Sequence, residues 1–264
     1  EILRGACVHH DNGVLGACTY PEAEERRVRI LKENGYNAIR SSHYPCSKDM
    51  LDACDRQGML MMDEYVDVWY IHKTKYDYAG YLNEWWQQDL KDMVEKDYNH
   101  PCVIMYSTGN EVAETAQKKG IELTGRMTSY LHKLDPYRPV TCGINIFFNF
   151  LSSMGMGVYS DDKAEKSAEI AEQEAKKQEK VTFVCEYLTM EQVDVADYEP
   201  GVVPEETEKE KKKPVGSEFY NTLACLVGDY FMKIGATLPP CDWKTKDAFA
   251  NMDIAGYNYG LFRY

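Results

Sequence analysis

Long apolar runs, an excess of basic charge and the usual cofactor motifs are all missing from this chain of 264 residues. No stretch approaches the roughly 18 consecutive apolar residues that cross a bilayer, so nothing in it reads as membrane-spanning. Thirty Lys and Arg against 43 Asp and Glu leave a formal charge of −13. No basic patch stands out, which argues against nucleic acid and against an anionic membrane surface as partners. No G-x-G-x-x-G or phosphate loop follows any strand pattern, which weakens nucleotide binding. No H-x-H or H-E-x-x-H occurs, and none of the nine cysteines forms a C-x-x-C. No metal and no organic cofactor is expected.

Nine cysteines cannot all pair within one chain. Cys7, Cys54, Cys102 and Cys142 sit in apolar runs, where a free cysteine behaves as a small hydrophobe. A reducing compartment is therefore expected, with a cytoplasmic location favoured. The hydrophobic content of 44% can fill a core, and the length suits one large α/β domain or two small ones. The chain opens at Glu1, without an initiator Met and directly on a strand pattern. That beginning reads as a cut inside a longer protein, where any signal peptide would be out of sight.

The first 145 residues alternate strand and helix with little loop between them. Ile2 to Val8 reads as a strand, and Pro21 with Glu22, Glu24 and Glu25 opens a helix that Gly35 stops. Residues 37 to 42 are a second strand. Ser47 caps a helix carrying Met50, Leu51 and Cys54 on one face, and Gly58 ends it. Met59 to Met62 form a third, wholly apolar strand running into Asp63-Glu64. A helix over about 82 to 98 precedes the fourth strand, Val103 to Tyr106, which leads to Gly109-Asn110-Glu111. A fourth helix buries Leu123, Met127, Tyr130, Leu131 and Leu134 at helical spacing, and Pro139 to Ile144 is the fifth strand. Repeated β-α units imply a parallel sheet; five at this spacing favour an α/β (β/α)8 TIM-barrel type over a doubly wound sheet. The rhythm breaks over about 155 to 214, a charged and partly mobile insertion. It resumes with a helix from Ser217 that buries Phe219, Leu223, Leu226, Val227 and Tyr230, and with a sixth strand over 253 to 259. Six of eight strands make an incomplete barrel, a single domain fragment over residues 1 to 264.

Sorted by strand tip, the polar residues fall on one rim. The first strand ends at His9-His10-Asp11, the second at His43, the third at Asp63-Glu64. The fourth ends at Asn110-Glu111, the fifth near Asn145 and the sixth at Asn258-Tyr259. A carboxylate at the C-terminal tip of a buried strand is where a barrel enzyme keeps catalytic groups, although a Glu that merely starts the next helix would look alike. With Trp69 and Tyr44 nearby, such a rim suits a polyhydroxylated ligand, which needs directed hydrogen bonds and a flat apolar surface.

Residues 37 to 62, N-A-I-R-S-S-H-Y-P through D-R-Q-G-M-L-M-M, closely resemble the first conserved motif of glycoside hydrolase family 2, the β-galactosidase and β-glucuronidase family. N-H-P-C-V-I-M-Y-S-T-G-N-E, residues 99 to 111, resembles its second, which carries the acid/base. R-G-A-C-V-H-H-D at 4 to 11 and D-I-A-G-Y-N-Y-G at 253 to 260 look like its first and sixth barrel strands. The resemblance implies a retaining glycosidase whose substrate is a β-galactoside, β-glucuronide or β-mannoside, the galactoside being preferred, with Glu111 as general acid/base and Asn110 on the sugar 2-hydroxyl. His43 would bind sugar hydroxyls, Arg40 would orient the nucleophile, and Tyr259 would hydrogen-bond it. His9, Asp63 and Glu64 would line or support the sugar site. A carbohydrate is the implied partner, and a homo-oligomer is compatible with the full-length enzyme. Two positions depart from the family: Tyr106 stands where Trp is usual, and Tyr98 where a basic residue is usual.

A retaining mechanism needs a second carboxyl group about 5–5.5 Å from the first. The family places it on the seventh strand, beyond Tyr264. Glu186 (VTFVCE) and Glu218 (VGSE) imitate it, but both precede the sixth strand. Two rivals remain at this level. One is a carbohydrate-binding barrel without catalysis. The other is a metal-dependent barrel hydrolase using His9, His10, Asp11 and His43, although His9 and His10 point to opposite faces if the strand runs through both.

Overall fold

Local signals act where the sequence places them. In the computed structural model, which describes residues 2–157, positions 219, 222, 223, 225, 226 and 228, and residues 233–263, Pro21 opens helix α1 (Pro21–Glu33). The Ser47 side chain accepts a hydrogen bond from the Met50 amide and so caps α2 (Lys48–Gln57), and Gly58 ends it at φ 65°. Helix α3 (Ala79–Asp97) turns Leu82, Trp86, Leu90, Met93 and Val94 inward. Helix α4 (Lys118–Leu134) does so with Leu123, Met127 and Leu131, Tyr130 and Leu134 packing partly buried against the same core.

The strands are β1 (Gly5–His9), β2 (Ala38–Ser42), β3 (Leu60–Glu64), β4 (Val103–Asn110), β5 (Val140–Ile144) and β6 (Gly256–Tyr257). They form one sheet in the order β1-β2-β3-β4-β5-β6, every neighbouring pair parallel. A doubly wound sheet would reverse its order at a switch point; this one advances without reversal, as a TIM barrel does. The core lies between the sheet and its helices, where Val28, Ile39, Leu51, Met61, Leu90, Met127, Leu131 and Ile144 are all buried. No helix among the described residues is long and apolar enough to cross a membrane.

Several expectations are corrected. Strand β1 starts at Gly5, not Ile2; Ile2 and Leu3 are exposed, and so is Cys7, which lies in a run expected to be buried. Strand β6 is two residues long. Before it, the Asp253 carboxylate accepts from the Val140 amide at 2.7 Å, and the Asp253 and Ile254 amides both donate to Val140 O. A side chain thus replaces the ladder there, and Tyr259 turns the chain away at φ 56°. Glu111 does not start helix four: a short 3-10 turn, Ala113–Ala116, intervenes.

Two helices were not foreseen. Helix α5 (Ile146–Ser153) is capped by Asn145, which accepts from the Phe148 amide. Helix α6 (Pro239–Phe249) opens on Pro239 and Pro240. Leu226, expected in the core, is exposed. Residues 158–218, which carry most of the charged insertion, Glu186 and Glu218, lie outside the described residues, as do Val227 and Tyr230.

Candidate active site

Neighbouring residues on a strand point to opposite faces, and β3 uses this to separate two adjacent acids. Glu64 faces the inside of the curved sheet, where its carboxylate is fully buried and completely engaged. Oε2 accepts from Arg40 Nε (2.9 Å), Arg40 Nη2 (2.6 Å) and Ser107 Oγ (2.7 Å). Oε1 meets His43 Nδ1 at 2.6 Å. Asp63 faces the helices instead. It accepts from Ser41 Oγ (2.7 Å) and the Cys46 amide (2.9 Å) and pairs with Lys96 Nζ at 2.9 Å. The structure thus does not bring Asp63 to the rim with the other expected residues.

Arg40 ties three strands together. Besides Glu64, its guanidinium donates to Asn110 Oδ1 (2.9 Å) and Asn258 Oδ1 (3.3 Å). Burial works against its charge, but the Glu64 carboxylate more than offsets this, and the pKa is raised. The space for the guanidinium exists because residue 143 has no side chain: a Cβ there would sit 2.5 Å from Arg40 Nη2 and 3.0 Å from Asn258 Oδ1.

Asn258 Nδ2 donates to Asn110 Oδ1 (2.7 Å) and to Glu111 Oε1 (3.2 Å), and Asn145 Nδ2 donates to the same Glu111 oxygen at 3.3 Å. With Asn110 Oδ1 used twice, the NH2 end of that amide is the one left to face a ligand. Glu111 has one oxygen held by two neutral amides, which leaves the second for proton exchange. Its backbone adopts φ 49°, a left-handed conformation rare for a side-chain-bearing residue. The Glu111 N–H is pinned there by Gly143 O at 2.7 Å.

The pinning depends on a register shift in β4 between Ser107 and Asn110. At the shift, Trp69 Nε1 donates to Thr108 O (3.1 Å), and a Cβ on Gly109 would approach that nitrogen to 3.1 Å. Trp69 is therefore a fully buried prop under the tip, not the sugar-stacking surface the sequence suggested. Tyr44 is exposed and stays available for that role; its hydroxyl donates to Asp67 at 2.9 Å.

His43 is partly exposed, and the His9 ring lies edge-on to it with centroids 5.1 Å apart. His10 turns away, its Nε2 3.1 Å from Tyr44 O. Among the described residues, His9, His10, Asp11 and His43 do not gather as a metal-ligating group. Tyr259 follows Asn258 at the β6 end and is half exposed.

Three residues of the site had been missed. Ser107 was hidden inside an apolar strand. Lys73 Nζ reaches Asn110 O at 3.1 Å from a loop without any motif. Glu114, buried with its pKa raised by that burial, accepts from the Ile71 amide at 2.7 Å and so anchors the loop carrying Trp69 and Lys73. Its signal, a Glu three residues after a strand tip, resembles any helix-start acid.

The arrangement is one ionisable carboxyl, one amide donor and an imidazole converging on a rim, stiffened by a buried Arg–Glu pair. It can deliver a proton to a ligand oxygen while holding neighbouring hydroxyls. Comparison with known proteins gives the same direction. Residues 2–212 match the family described as glycosyl hydrolases family 2, TIM barrel domain. A β-galactosidase from Bacteroides ovatus is 42% identical over 174 residues, 54% of this chain and 20% of that protein. The human β-glucuronidase is 33% identical over 139 residues, 53% of this chain and 21% of that protein. Among solved structures, a glycosyl hydrolase family 2 member from Bacteroides cellulosilyticus superimposes with a TM-score of 0.61 at 30% identity. It covers 99% of this chain and 22% of its own. The chain thus spans about a fifth of the length of these relatives.

Proposed function

The chain belongs to the TIM-barrel domain family of glycosyl hydrolases family 2, and from that premise we propose that it is the catalytic barrel domain of a retaining β-glycosidase acting on terminal β-galactosides. The observation that carries the reading is the Glu111 carboxyl at the tip of β4, one oxygen fixed by Asn145 and Asn258. Asn110 stands beside it, oriented by Arg40. In this reading Glu111 protonates the leaving glycosidic oxygen and then takes a proton from the attacking water, and Asn110 binds the 2-hydroxyl, a contact that strengthens in the transition state. His43, with His9 against it, binds further hydroxyls. Arg40 and Glu64 act through them as positioning groups. In the same reading Arg40 orients and Tyr259 hydrogen-bonds the nucleophile, which we assign to a segment following Tyr264 in the full-length enzyme.

The preference for galactosides rests on the higher identity to the Bacteroides ovatus β-galactosidase than to the human β-glucuronidase. The test assays the full-length protein with matched aryl β-galactoside, β-glucuronide and β-mannoside, following the first-formed sugar by proton NMR. The expected result is fastest turnover of the galactoside with the β anomer appearing first. Preference for the glucuronide would overturn the substrate, and an α product the retaining mechanism. Saturable sugar binding without turnover would establish the non-catalytic barrel instead.

A further inference from the structure

Glu111 lies just past one end of β4; just before the other end, three side chains of metal-ligating type meet, and a fourth, Cys54, neighbours one of them. Cys102 directly precedes β4 and His100 lies two residues earlier, while Cys54 and Asp55 come from the last turns of α2. A ligand atom from each of Asp55, His100 and Cys102 lies within 4.8 Å of the others. His100 Nδ1 is 2.7 Å from Asp55 Oδ2. The other Asp55 oxygen, Oδ1, accepts from the Cys102 amide at 2.8 Å and so fixes the carboxylate. The Cys102 thiol donates to Leu51 O at 3.6 Å, and Cys54 on α2 is a close neighbour of Cys102. Cys54, Cys102 and His100 are buried, and Asp55 stands on the solvent side.

We propose that this group is a binding site for a zinc-type divalent ion, held by the Cys102 and Cys54 sulfurs, the His100 imidazole and the Asp55 carboxylate. Two sulfurs, one imidazole nitrogen and one carboxylate oxygen form a four-donor set that suits tetrahedral Zn2+ and disfavours Ca2+ or Mg2+, which take oxygen ligands. With metal–ligand distances of about 2.0–2.3 Å, tetrahedral donors sit roughly 3–4 Å apart. The His100–Asp55 contact therefore opens by less than about an ångström on binding. Uptake breaks two S–H bonds and releases both protons to solvent as two sulfur–metal bonds form. No oxidation is involved, and affinity rises with pH. The ion joins α2 to the base of β4, away from the catalytic rim, and adds stability without entering the reaction.

The test is a cobalt titration of chelator-treated, reduced full-length protein. The expected result is one equivalent of Co2+ with thiolate charge-transfer and tetrahedral ligand-field bands, bleached by Zn2+, and two protons released per ion. Cys102→Ser and Cys54→Ala should each abolish the charge-transfer band, and Cys225→Ser, at an exposed cysteine, should leave it unchanged. Absence of a thiolate band at large cobalt excess would overturn the site without recourse to any variant. So would a band that survives either substitution in the cluster.

Discussion

Glu111 holds a left-handed backbone, φ 49°, that most residues avoid, and a non-glycine residue in that region costs about 1–2 kcal/mol. The strain aims its carboxyl at Asn145 and Asn258, so function and stability oppose each other at this position. Glu111→Gly should accordingly be more stable than Glu111→Ala by about 1 kcal/mol in denaturant unfolding, with neither variant able to donate the proton. Equal stability would mean that the backbone there is not strained. Gly143 makes a complementary case. Its missing Cβ leaves the volume that Arg40 Nη2 fills, and Gly143→Ala must push the guanidinium off Asn110. Misplacement of such a group by about an ångström costs on the order of 100-fold in rate, so kcat/KM should fall by about that factor while the fold survives. Unchanged kinetics would remove Arg40 from the positioning role.

Individual residues were legible in the sequence where chemistry and position coincided. Asn110, Glu111 and His43 were expected at strand tips, and the structure links Asn110 and His43 through Arg40 and Glu64 with Glu111 beside them. Asp63 was misplaced because adjacent Asp63 and Glu64 both stand at a strand end, and only the pleat decides which faces in. Trp69 was misread because an aromatic in a loop gives no sign of whether it stacks on a ligand or props a strand.

At the scale of elements, β3 and α3 share a buried charge cluster. Lys96 pairs with Asp63 at 2.9 Å and also with Asp97, and both acids are fully buried. Burial, and after it the Asp63 carboxylate, push the Asp97 pKa up to about 8, against the pull of Lys96. An acid whose folded pKa exceeds its unfolded value of about 3.9 binds more protons folded than unfolded between the two. Its stabilising effect is therefore full below about pH 4 and is lost as pH rises through about 8. Asp97→Asn should flatten this slope, read as urea midpoints between about pH 4 and about pH 8; an unchanged slope would show that Asp97 does not carry it.

Both departures from the family's usual residues meet at one neighbouring element. The Arg138 guanidinium lies 6.0 Å from the centroids of the Tyr98 and Tyr106 rings and pairs with Asp135, to which Tyr106 also donates at 3.2 Å. Helix α2 with its Ser47 cap and Gly58 stop, α1 opened by Pro21, α3 and α4 with apolar residues at helical spacing, and strands β2 to β5 were readable from sequence. Strand β6 was foreseen but read too long, because Asp253 substitutes for ladder bonds before it. Helix α5 was missed because IFFNFLSS is apolar on nearly every side and shows no helical period.

Over the whole described sheet, β1 pairs only with β2 and β6 only with β5. Exposed edges of parallel strands template association. Residues 1–264 expressed alone should therefore elute larger than a monomer in sizing chromatography and show no significant glycosidase activity; a monomeric, active segment would place the nucleophile within these residues. The central claim is that Glu111 is the acid/base. It is tested most directly by single-turnover kinetics of Glu111→Gln in the full-length enzyme, with aryl β-galactosides of high and low leaving-group acidity. Poor leaving groups need protonation and good ones do not. The rate of glycosylation should collapse for the former and change little for the latter, whereas equal loss for both would contradict the role.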